Sequence, residues 1–77
     1  MPKLHRRTRR IELKEAQALV DGYVQVIKVG PDLKLLVNEE GGMIGLDWNE
    51  EASQEAGQRI VGDAVLLIGP SAARSWG

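Results

Sequence analysis

The first ten residues carry five cations and no acid: Lys3, Arg6, Arg7, Arg9 and Arg10. Arg6, Arg7, Arg9 and Arg10, set around Thr8, have the plainest chemistry in the chain. Guanidinium groups at this density bind phosphate, and on a nucleic acid they would displace about four or five counterions and make affinity steeply salt-dependent. The same groups serve equally as a solvated arm, or as an arm that neutralises acids on its own body or on a neighbouring subunit. Stacking residues are few, only Tyr23, Trp48 and Trp76 with no phenylalanine. That leaves no interleaved aromatic platform for single strands, and it favours the solvated or internally paired arm.

His5 is the single histidine and lies among these arginines. No carboxylate adjoins it in the sequence to orient the ring. No Ser-His-Asp set, phosphate-binding loop or dinucleotide fingerprint can be assembled, and Gly41-Gly42 reads as a turn. The acids Glu39, Glu40, Asp47, Glu50, Glu51 and Glu55 do not match a calcium loop. Glu50, Glu51 and Glu55 read instead as a solvated helix face. We therefore assign no catalytic residue, metal ligand or cofactor and expect a protein that is not an enzyme. Trp48, where a strand yields to a helix, fits a lid over the core somewhat better than an exposed anchor. Tyr23, Trp48, Glu50, Glu51 and Trp76 are the candidate protein-contact residues, with Trp76 docking on the body or on a partner if it is ordered.

The elements that must position these groups follow from periodicity. Residues 1–10 read as a basic arm or edge strand, since an edge tolerates long charged side chains. Leu13, Ala16, Leu19 and Val20 recur at helical spacing, and Asp21-Gly22 supplies a left-handed stop. Tyr23 to Val29 and Leu33 to Val37 form a hairpin about Gly30-Pro31-Asp32. Its two faces are both apolar, so the helix covers one while the other meets a further layer or another chain. Asn38 to Gly42 is a turn, and Met43 to Leu46 reads as the next strand of a meander. Asn49 caps a helix from Glu50 to Ala56 that ends at Gly57. Ala64 to Ile68 is the candidate central strand, and residues 71–77 have no period and read as a tail. The fold class is α+β: a mostly antiparallel sheet of four to five strands with two short helices, in one domain over residues 11–70.

Composition sets the outer bounds. Seventy-seven residues at 43% apolar and 27% charged describe one folding unit. A chain of this size buries only about 60 to 65% of its unfolded surface and cannot be divided between two cores. Because so small a core nets about 3 to 5 kcal/mol, a homo-oligomer, a dimer first of all, is expected. The net charge of −1 conceals a basic first decade at +5 and a remainder at −6. With no cysteine there is no disulfide or thiolate metal site, which favours the cytoplasm. No apolar run suits a membrane helix or a signal peptide.

The blocks Ala16-Gln17-Ala18-Leu19-Val20-Asp21-Gly22-Tyr23-Val24-Gln25-Val26, Leu36-Val37-Asn38-Glu39-Glu40-Gly41 and Ile60 to Gly69, in this order and spacing, resemble the uncharacterised phage and mobile-element domain of unknown function family 3846. The resemblance covers residues 11 to 70. It implies a small α+β fold and a phage, plasmid or bacterial origin, and it brings no activity and no site residues. It also implies an apolar first strand whose place the arginine arm takes here, leaving a sheet edge open to dimerisation or to a strand from a partner. Together these readings make the leading expectation a binding module that grips a host protein, as a counter-defence or host-modulating inhibitor. The alternatives are a nucleic-acid accessory protein using the arginine arm, and an oligomeric sponge for a nucleotide signal.

Overall fold

The structure is a computed structural model that describes residues 1–76. Its elements in chain order are β1 (Leu4–Arg7), α1 (Leu13–Val20), β2 (Val24–Gly30), β3 (Leu33–Asn38), α2 (Glu50–Ala56), β4 (Ala64–Ile68) and α3 (Pro70–Ala73). The four strands form one sheet in the order β1-β4-β3-β2. β4 lies inside it, as its unbroken apolar run demands, since a strand covered on both faces has no position to give to a polar residue.

Two of the three pairings are antiparallel: Val24↔Asn38 begins the β2–β3 ladder, and Leu36↔Val65 and Leu35↔Leu66 join β3 to β4. The third, β1 with β4, is parallel, with Leu4↔Ala64 and Arg7↔Leu67 in register. The sheet is therefore mixed, since α1 carries the chain from one edge to the other.

Alternation along the strands divides the apolar side chains between the two faces of the one sheet, giving two packed layers within a single domain. On one face Leu36, Val65 and Leu67 pack with Ile11, with Ala16 and Val20 of α1, and with Ala72 and Ala73 of α3. On the other Leu35, Val37, Leu66, Ala64 and Leu4 pack with Ala52 of α2 and with Ile60. Helices α1 and α2 are eight and seven residues long. Neither length holds a helix in water without packing of this sort. α1 stops where Asp21 turns left-handed at φ 59°, and α2 where Gly57 does so at φ 68°.

Three expectations are corrected. Met43 to Leu46 is not a strand: Ile44 N–H donates to Glu40 O and Leu46 N–H to Gly41 O, so these amides close turns and have none left for a ladder. Residues 71–76 are not a loose tail. Pro70 starts α3, Ala72 and Ala73 are fully buried, and Trp76 packs against the same core. Two alanines in a four-residue helix draw no apolar stripe along the chain, which is why periodicity does not announce this element. Finally, no first strand is missing, since Leu4–Arg7 occupies that edge itself. No helix is long and apolar enough to cross a membrane among the described residues.

Candidate protein-contact end of the sheet

Asn49 is 1% exposed and organises one end of the molecule. Its Oδ1 accepts the Ala52 N–H at 3.0 Å, capping α2, while its Nδ2 donates to Lys3 O at 3.0 Å and Gly62 O at 2.8 Å. Its backbone N–H donates to Ile60 O at 2.8 Å. One amide thus ties together the lead into β1, the start of α2 and the lead into β4. Satisfying a buried amide so fully fixes its surroundings, because any alternative geometry strands a polar group away from water.

Asn38, at the end of β3, plays the matching part. Its Nδ2 donates to the carbonyls of Val20 and Asp21, both at 3.1 Å, and its Oδ1 accepts the Glu40 N–H at 2.8 Å. The closing C-terminus of α1 is thereby joined to the loop that leaves β3. Glycine meets the third demand. Gly62 has φ 78°, and a Cβ there would lie 2.5 Å from Leu46 Cδ1, so the lead into β4 presses directly on the loop.

Held between these two asparagines, residues 39–48 present large apolar groups to solvent. Met43 is 85% exposed, Ile44 59% and Trp48 54%, and Tyr23, whose carbonyl accepts the Glu39 N–H, is 65%. All four share one end of the sheet, where β2 starts, β3 ends and β4 starts. Trp48 is exposed but not loose. It bridges Val61, and its Nε1 donates at 3.0 Å to Ser53 Oγ, which also accepts the Ile60 N–H at 2.7 Å. The indole therefore offers a fixed face to an open groove of about 540 Å³ lined by Glu50, Ser53, Gln54, Gln58 and Arg59. Glu50 lines this groove opposite the cation Arg59, and the loop adds the exposed acids Glu39, Glu40 and Asp47; none of these four acids is in an ion pair among the described residues.

The chain matches a known family model. The domain of unknown function DUF3846 matches over residues 2–75. The chain belongs to the DUF3846 family. Neither a curated protein nor a solved structure matches it. The DUF3846 match takes in β1 and α3 as well as the middle of the chain, so the arginine strand and the last helix are parts of the domain.

The candidate residues fall in three different settings. Arg6 binds Glu51 at 2.8 Å, Arg7 meets Glu15 at 3.5 Å and Arg10 meets Glu12 at 3.9 Å. Arg9 is exposed, with no ion pair among the described residues. Glu51 is thus committed to the arm, while Glu50 lines the tryptophan groove. Trp76 lies partly buried against the core, its carbonyl accepting from Lys34 Nζ and its indole Nε1 without a hydrogen-bond partner among the described residues, so it docks on the body of its own chain. Trp48 reverses the lid expectation and is the exposed one. His5 does have a carboxylate, since β1 beside β4 brings Asp63 Oδ2 within 3.5 Å of its Nε2. Met43 and Ile44 are hidden in the sequence, where their pattern suits a strand. The signal that could reveal them is the set of glycines at 41, 42 and 45, too dense for a ladder strand between β3 and α2.

Proposed function

We propose that this DUF3846 protein is a non-enzymatic binding module that works in the cytoplasm and grips another protein with the end of its sheet. The observation that carries this reading is the set Met43, Ile44 and Trp48, exposed on the segment held by Asn38 and Asn49, with Tyr23 exposed beside it where its carbonyl accepts the Glu39 N–H. Large apolar groups kept in water on an ordered loop favour an interface, and a fixed tryptophan is the commonest anchor of one. The acids around them select the partner: a surface with an apolar centre and basic surroundings meets complementary charge here, which speeds encounter and rejects acidic competitors. A protein of the host cell is the partner in view, by the origin that the family resemblance implies.

The test is retention of proteins on the immobilised chain compared with a Met43→Ser, Ile44→Ser, Trp48→Ala variant of equal melting temperature. A specific protein held by the wild type and lost by the variant supports the reading, and its on-rate should fall with added salt. Equal retention by both, or none by either, would sink it. The arginine strand is less suited to nucleic acid than its composition suggests, because carboxylates of the same chain face Arg6, Arg7 and Arg10. Phosphates would have to displace them.

A further inference from the structure

The two edges of the sheet are not alike. β1 is four residues long and carries Arg6 and Arg7, the short, charged form by which edges avoid unwanted pairing. β2 is seven residues long and, from Val24 to Lys28, reads Val-Gln-Val-Ile-Lys, with one charge. Its inner side pairs with β3 as far as Lys28↔Lys34, after which the register shifts. The Glu39 N–H donates to Tyr23 O across the end of this ladder. Because antiparallel pairs alternate, Tyr23, Gln25 and Ile27 turn their backbone groups toward β3, and Val24, Val26 and Lys28 turn theirs outward. Among the described residues no other segment meets that outward row.

We propose that a second copy of the chain occupies this edge, β2 against β2 in the antiparallel sense, so that the two four-stranded sheets run on as one. A two-fold axis normal to the sheet keeps each side chain on its own face, so it must pass midway between one residue and its own counterpart. The regular stretch Val24 to Lys28 is centred on Val26. Val26 then meets its own counterpart, Val24 faces Lys28, and Gln25 faces Ile27. The outward groups of Val24, Val26 and Lys28 form about six N–H···O bonds, the pattern an antiparallel ladder requires.

Charge selects a second copy over a foreign strand. Within one chain Lys28 stands directly opposite Lys34, a disfavoured like-charge pair, and has no acid partner among the described residues. In the dimer Lys28 moves beside Val24 of the other copy, next to the C-terminal end of that copy's α1. There Asp21 is the exposed cap and the last turn holds no basic residue. A carboxylate and the negative end of a helix both attract a cation. Symmetry makes this contact twice, and the partly buried Val24, Val26 and Ile27 lose their remaining water. The ladder is short for a stable interface, so dissociation is expected at about micromolar concentration.

Sedimentation equilibrium over a range of concentrations tests this directly. The wild type should show a reversible monomer–dimer equilibrium. Val26→Pro removes an N–H that β3 does not use, and should give a monomer with unchanged circular dichroism. Lys28→Glu, at an exposed position, should weaken the dimer about tenfold or more and decides the matter alone if the proline variant does not fold. A chain that stays monomeric throughout, a dimer indifferent to Lys28→Glu, or one broken instead by Trp48→Ala would overturn the proposal.

Discussion

The arginine strand and the loop after Asn38 are both conspicuous in composition, and the fold treats them in opposite ways. The arginine segment has most of its charge answered from within: Glu51 meets Arg6, Glu15 meets Arg7, Glu12 meets Arg10 and Asp63 meets His5, and among the described residues Arg9 alone of the four arginines has no ion pair. The loop keeps its acids unpaired among the described residues and its apolar side chains in water, while two buried asparagines hold its backbone. The difference teaches that a dense charge run is not by itself a binding surface.

The largest effect should come from removing what orders the loop. Asn49→Leu abolishes the α2 cap and strands the carbonyls of Lys3 and Gly62, for about 3 kcal/mol of lost stability in chemical denaturation. That is about 15 °C in melting temperature for a domain of this size. A loss under about 1 kcal/mol would show that the loop is not built on this amide. Next comes Gly62→Ala, which adds a Cβ in the left-handed region against Leu46 and should cost about 2 kcal/mol. Since the strain falls on the loop, limited proteolysis between residues 39 and 48 should speed up in this variant and leave β1 unaffected.

The smallest effect belongs to the arm. Arg6→Ala removes an ion pair whose side chains are 50% and 58% exposed. It should change stability by about 0.5 kcal/mol or less, because solvent and salt already screen such a pair. Should it instead cost as much as Asn49→Leu, the contrast between the two regions would fail.

Much of the framework is legible in the chain itself. The 3.6-residue spacing of Leu13, Ala16, Leu19 and Val20 marks α1, the Asn49 cap and the Gly57 stop bound α2, and the unbroken Ala64 to Ile68 run announces an interior strand. α3 is not legible, because Ala72 and Ala73 carry too little apolar area to make a pattern. The turns at Met43 to Leu46 stay hidden because an apolar pair between glycines suits a strand as well as a bend, and only the hydrogen-bond partners separate the two. The site is half visible: Trp48 and Tyr23 stand out by type, but which tryptophan faces water does not.

By itself, the sequence determined local conformation, the caps and the alternation that divides apolar residues between two faces, since all of these depend on neighbours a few positions apart. Only the tertiary structure decided that β1 joins β4 in parallel, that Trp76 packs on the core while Trp48 is displayed, and that Arg6 and Arg7 find carboxylates. Each of those outcomes depends on groups up to sixty positions apart in the chain, such as Lys3 and Asp63. No short window of residues contains the distance between them.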